Sequence, residues 1–163
     1  MVAQYSFQAQ VTRVVPVGIG SDGLRVDLGF AGTVSSGPWA GNPIEGIDYL
    51  LIRPDGVGVI DARELITDGD DVVAALHVRG YVVPPFPLPK LPVLLDPGFT
   101  WPDVDLPMHG LVHMHSGVAD YAGCNAAVYA FNGWVNMSRG SITVHAEPIS
   151  LARFEGVLTA AGE

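Results

Sequence analysis

From Tyr5 to Val11 the chain reads Tyr-Ser-Phe-Gln-Ala-Gln-Val, with an apolar side chain at every second position and a polar one between. Side chains along a strand alternate between its two faces, so this period of two describes a half-buried strand and not one face of a helix. Further strands are read in "LRVDLGF", "IDYLLIR", "VGVIDAREL", "VVAALHVRGYVV", "GLVHMH", "AAVYAFNGWVNM", "SITVHAE" and "ISLARFEGVL". Between them, "SDG" at 21–23, "PDG" at 54–56, "TDGDD" at 67–71 and "SRG" at 138–140 combine Asp or Ser with Gly, the chemistry of tight reversals. No long stretch joins a helical period to a cap and a glycine stop. The segment "DYAGCNAAVYAF" can open as a short helix, which Gly123 and the β-formers after it keep short. Many short strands joined by tight turns imply an antiparallel sheet, and closing it into a barrel, or folding it into a sandwich, protects its edges; alternating small and large residues favour the barrel. The expectation is all-β: a single-domain antiparallel β-barrel over residues 1–163.

One segment breaks the period. Residues 84–107 hold eight of the thirteen prolines together with Phe86, Phe99 and Trp101. Proline removes ladder donors, so this stretch is no central strand, and its aromatics argue against disorder. It reads as a long Pro-rich loop, serving either as a lid on a pocket or as a cover against a barrel end or neighbouring subunit.

Composition narrows the partners. Seventeen acids against eight bases give a net charge of −9, with Lys90 the only lysine. No basic stripe is available for a phosphate backbone or an anionic membrane, so neither nucleic acid nor membrane is expected as a partner. No run approaches the ~20 apolar residues of a membrane-spanning helix. The N-terminal residues show no signal peptide, and the single cysteine, Cys124, fits a reducing compartment and reads as a small buried residue. A cytoplasmic location follows as an expectation.

Ordered motifs run along the centre of the chain. Arg25 leads into a Gly-rich stretch with Gly32 that closes on Gly37-Pro38. Gly46, Asp48 and Tyr49 follow, then Arg53, Asp55 and Gly56, then Asp61 and Arg63, then Thr67, Asp68 and Gly69. Tyr121, Asn125 and Gly133 come later. In this order the chain resembles the bacterial and fungal family known as domain of unknown function 3237, with Tyr49 where tryptophan is usual and Cys124 where leucine is usual. The resemblance implies a compact antiparallel β-barrel, often a homo-oligomer, and implies no particular reaction.

Candidate catalytic residues are Asp48, His113, His115 and Arg63. Asp48 lies beside Tyr49, Leu50 and Leu51; desolvation there would raise its proton affinity toward neutrality, as a general base requires, and its other reading is a cap on the preceding turn. Three of the five histidines fall in "HGLVHMH", where His109, His113 and His115 share one strand face. Imidazole is the natural proton carrier near pH 7, so an acid/base role suits them. A metal would need further ligands, and Asp120 with His145 beside Glu147 is the only completion the sequence offers. Arg63 shares a face with Asp61; if that face is interior, the two form a structural ion pair or a grip for a substrate oxygen. Candidate substrate-binding residues are Trp39, Tyr49, His77, Phe99, Trp101, Tyr121 and Asn125. Dinucleotide, phosphate-loop and serine-elbow motifs are absent. The expected function is a cofactor-independent isomerase, cyclase or lyase that encloses a hydrophobic or aromatic small molecule, with no metal. The alternatives are a non-catalytic ligand-binding or oligomeric assembly module, and a metal-dependent enzyme built on the histidines.

Overall fold

A computed structural model describes residues 3–149 of the chain, so the last strand read from the sequence lies almost wholly outside the described residues. Eight strands follow one another: β1 (Tyr5–Ile19), β2 (Leu24–Ser36), β3 (Pro43–Ile52), β4 (Gly58–Asp68), β5 (Asp71–Val82), β6 (Leu106–His115), β7 (Val128–Asn136) and β8 (Ser141–Pro148). Each pairs antiparallel with the next, and β8 closes on β1 through Tyr5↔Ala146 to Gln10↔Ser141. The protein is an all-β, up-and-down antiparallel barrel.

The period of two maps directly onto the wall. Tyr5, Phe7 and Ala9 of β1 are buried inward, and Gln8 and Gln10 face out. The inward side chains of all eight strands form one core, and the reversals between them turn where Gly can take positive φ, as at Gly56 (φ 86°). β1 bends at three register shifts against β2, the bulges that let a long strand coil around a narrow barrel.

The two ends differ. One is plugged by aromatics: Trp39, from the β2–β3 turn, packs edge-on against Tyr5 at 5.8 Å and tilts against Tyr121 at 5.4 Å. Tyr129 meets Tyr5 at 5.9 Å, and the 3₁₀ helix Ala119–Ala126 lies between β6 and β7 at this end. The other end carries the Pro-rich connection between β5 and β6, whose only helical turn is α1 (Leu91–Leu94). Phe86, Leu88, Leu91, Leu94 and Trp101 pack half-buried onto the core. The connection is tied down at its far side, where the Asn136 amide donates to Asp103 at 2.8 Å and to Asp105 at 3.0 Å, and Arg139 pairs with Asp103 at 2.7 Å.

Candidate active site

Inside the barrel the side chains leave a cavity of about 90 Å³. Apart from two carboxyl groups, its wall is aliphatic and aromatic, from Tyr5 and Phe7 to Leu88 and Trp101 beneath the Pro-rich cover. An engineered cavity of roughly 150 Å³ accepts benzene, so this one suits a ligand of about four to six non-hydrogen atoms.

Two carboxyl groups face this space, Asp48 from β3 and Glu64 from β4. The β3–β4 register pairs Asp48 with Ala62 and Gly46 with Glu64, which sets the two acids on adjoining strands one layer apart. The ladder is interrupted after the Asp48 pair and resumes at Leu51↔Val59. There the Asp61 backbone N–H donates to Asp48 Oδ1 at 3.0 Å. Glu64 is only 5% exposed, and its Oε2 has no hydrogen-bond partner; nor does the buried Tyr5 hydroxyl. Burial, with the Asp48 charge adding, pushes the Glu64 carboxyl up to about 8. Burial also lifts Asp48 to about 7, against the bond from Asp61 N–H, which favours the ionised form. The Tyr5 hydroxyl rises well above the usual tyrosine range through burial, Glu64 and Tyr129, and so stays a donor.

Of the four catalytic candidates read from the sequence, only Asp48 reaches the cavity. The expectation that the imidazoles point into a pocket is corrected: Met108, Val112 and Met114 occupy the inner face of β6, and His109, His113 and His115 are exposed on the outer one. The reason is hydrophobic, since thioether and isopropyl groups gain more from burial than imidazole does. Arg63 is likewise outside, donating to Asp61 at 3.2 Å. His77 meets the same carboxylate at 2.9 Å, and its hydrogen bond is the first cause of the low Asp61 pKa. His77 therefore belongs to an outer polar cluster and not to the cavity.

The binding candidates divide similarly. Trp101 lines the cavity, and Phe99 supports it edge-on at 5.4 Å. Trp39 and Tyr121 form the aromatic plug. Tyr49 lies outside beneath the Arg25 guanidinium, 5.1 Å from its ring centre. Asn125 is exposed and holds the Ser116 backbone through bonds of 2.7 and 2.9 Å. His145 bonds Ser6 at 2.9 Å and does not join His113, His115 or Asp120; among the described residues no group of three or more His, Cys, Asp or Glu side chains is arranged to hold a metal ion. Glu64 and Tyr5, which the sequence reading passes over, complete the site. The signal for Glu64 was a lone acid in phase with Gly58, Ile60, Ala62 and Ile66.

Comparison with known proteins bears on the fold alone. No family model and no curated protein matches the chain. Solved structures do. A protein of unknown function from Clostridium acetobutylicum superposes with a TM-score of 0.68 at 17% identity, over 91% of this chain and 98% of that one. A β-barrel-like protein from Acinetobacter baumannii gives 0.67 at 20% identity, over 91% and 94%. A conserved protein of unknown function from Rhodopseudomonas palustris gives 0.65 at 18%, over 89% and 95%.

Proposed function

We propose that this barrel is a cofactor-independent enzyme of isomerase or lyase type, which encloses a small, largely apolar molecule and moves a proton on it. The observation that carries the reading is the placement of two carboxyls, the half-buried Asp48 and the buried Glu64, on the wall of one apolar cavity, with Glu64 Oε2 unpartnered. Burying a carboxyl oxygen without a partner, as at Glu64, costs several kcal/mol, a cost that function explains better than packing does.

The roles follow from surroundings. Asp48 accepts a backbone N–H and keeps access to its ionised form near neutrality, so it is the base. The Tyr5 hydroxyl, still protonated and without a partner, is the donor to an oxygen that gains charge as the proton leaves carbon. Glu64 orients the polar end of the substrate. In the forward step Asp48 takes the proton from a carbon next to a carbonyl, the C–H pair becomes the enol C=C bond, and the carbonyl oxygen holds the negative charge against Tyr5. Return of the proton at the same or a neighbouring carbon completes an isomerisation. The motif residue Asp48 lines this wall and Gly46 pairs with Glu64 across the β3–β4 ladder; kinship with the domain of unknown function 3237 family is part of the same proposal. Location in the cytoplasm and assembly into a homo-oligomer belong to the same proposal.

The test is proton exchange in D₂O, followed by NMR, with butanone and aminoacetone as small ketones. Wild type is expected to accelerate exchange of the α-protons of at least one by roughly 10²–10⁴-fold over buffer, and Asp48→Asn to return it to the buffer rate. Absence of acceleration in wild type, or full acceleration in Asp48→Asn, overturns the proposal.

A further inference from the structure

The charge of the cavity wall is one-sided. Its ionisable members are Asp48, Glu64 and Tyr5, all of which are neutral or negative, and no Arg, Lys or His faces it. An anionic ligand would lose its hydration in a low-dielectric space without gaining a countercharge, which disfavours carboxylates and phosphates. What this wall lacks is a positive charge. Glu64 lines the cavity, is only 5% exposed, and its Oε2 has no hydrogen-bond partner. Phe7, Phe30 and Phe131 line the same space, with Phe7 and Phe30 stacked 6.4 Å apart. Aromatic faces around a carboxylate suit an organic cation. Two carboxyls alone do not make a metal site, and among the described residues no group of three or more metal-ligating side chains comes together.

Resting on the reading of this cavity as the ligand site, we propose that the barrel selects a small aliphatic amine in its ammonium form, with Glu64 as the counterion and Asp48 left free to move a proton. The unliganded Glu64 carboxyl is held largely protonated at neutral pH by burial and by Asp48. Binding of the ammonium therefore turns the carboxylic acid into a carboxylate paired with the cation, and the acid's proton goes to solvent. No bond other than that O–H is broken. Proton release on binding is the signature, because a neutral ligand in the same cavity releases none.

The experiment is isothermal titration calorimetry at pH 7 with isobutylamine, isobutanol and isobutyrate, each in two buffers of different ionisation enthalpy. Isobutylamine is expected to bind at least tenfold more tightly than isobutanol, with close to one proton released per amine, and isobutyrate not to bind. Glu64→Gln, which keeps the shape and removes the ionisation, is expected to erase both the preference and the proton release. Isobutanol binding as tightly as the amine, amine binding without proton release, binding of none of the three, or an unaltered preference in Glu64→Gln overturns the inference. These outcomes are independent of the ketone exchange, which can succeed for butanone while the amine preference fails.

Discussion

At the scale of single residues, the cavity acids must leave a mark on stability. Asp48 and Glu64 have ordinary values of 3.8 and 4.5, and in the folded barrel burial lifts them to about 7 and about 8. Between about pH 4 and pH 8 the folded chain therefore binds more protons than the unfolded chain. Stability from these groups is complete below the unfolded values, falls as pH rises through that window, and is gone above the folded values. Each unit is worth about 1.4 kcal/mol, so the two groups together weigh several kcal/mol. Asp61 and Asp103 shift the other way, but both are exposed, and water screens them. The urea midpoint is thus expected to be clearly lower at pH 8.5 than at pH 5. Glu64→Gln is expected to flatten that difference and to exceed wild type in stability at pH 8.5. A wild-type midpoint that is equal or higher at pH 8.5 would show that neither acid is held neutral by the fold.

At the scale of the strand pair, Glu64 has its place because its neighbour on β3 has no side chain. A Cβ on Gly46 would lie 2.6 Å from the Arg63 carbonyl oxygen, 2.8 Å from Phe30 Cζ and 3.0 Å from Glu64 Cγ. The first of these is backbone and cannot swing aside, so Gly46→Ala must push β3 from β4 or tilt both Phe30 and Glu64. A loss of about 1–3 kcal/mol is expected from urea unfolding at pH 7; a change within 0.5 kcal/mol would mean that the pair relaxes freely. This arrangement also shows what the sequence could and could not reveal. Alternation identified the strands, and Asp-Gly pairs such as Asp55-Gly56 identified the reversals, because both are local properties of the chain. The same alternation says which side chains share a face, not which face is inside. In β6 the histidine side draws attention chemically, yet Met108, Val112 and Met114 win the interior by burial. In β4 the Asp61–Arg63 pair is conspicuous, while the carboxyl that lines the cavity is Glu64, on the apolar phase. Tyr5 could not be distinguished from any other core aromatic, since its orphaned hydroxyl exists only once Trp39, Tyr129 and Glu64 are gathered around it.

At the scale of the whole molecule, closure decides how the proposed ligand would get in. A closed eight-stranded wall leaves no edge to part, and an interior of this size is either filled or holds one small ligand. Passage must therefore be through an end. The aromatic end is costly to open, because Trp39, Tyr5 and Tyr129 are each at most 2% exposed and packed on one another. The Pro-rich end is held by half-buried contacts and the Asp103–Arg139–Asn136 tie, and α1 within it buries no residue fully. Nor does the barrel need that connection in order to close: Val82 already pairs with Met108, and Val83 N–H bonds the Pro107 oxygen at 3.0 Å, so the strand ends lie side by side. Replacing residues 85–104 by a short Gly-Ser turn is therefore expected to preserve the far-UV signature of the strands. The lost packing of Leu88 and Trp101 is partly offset by the smaller entropy of closing a shorter loop. The shortened protein is expected to release whichever of isobutylamine and isobutanol binds wild type at least tenfold faster, as read from NMR line shapes of the ligand methyls. An unchanged release rate would move the portal to the aromatic end, and loss of the strand signature would make the Pro-rich connection part of the core and not its cover.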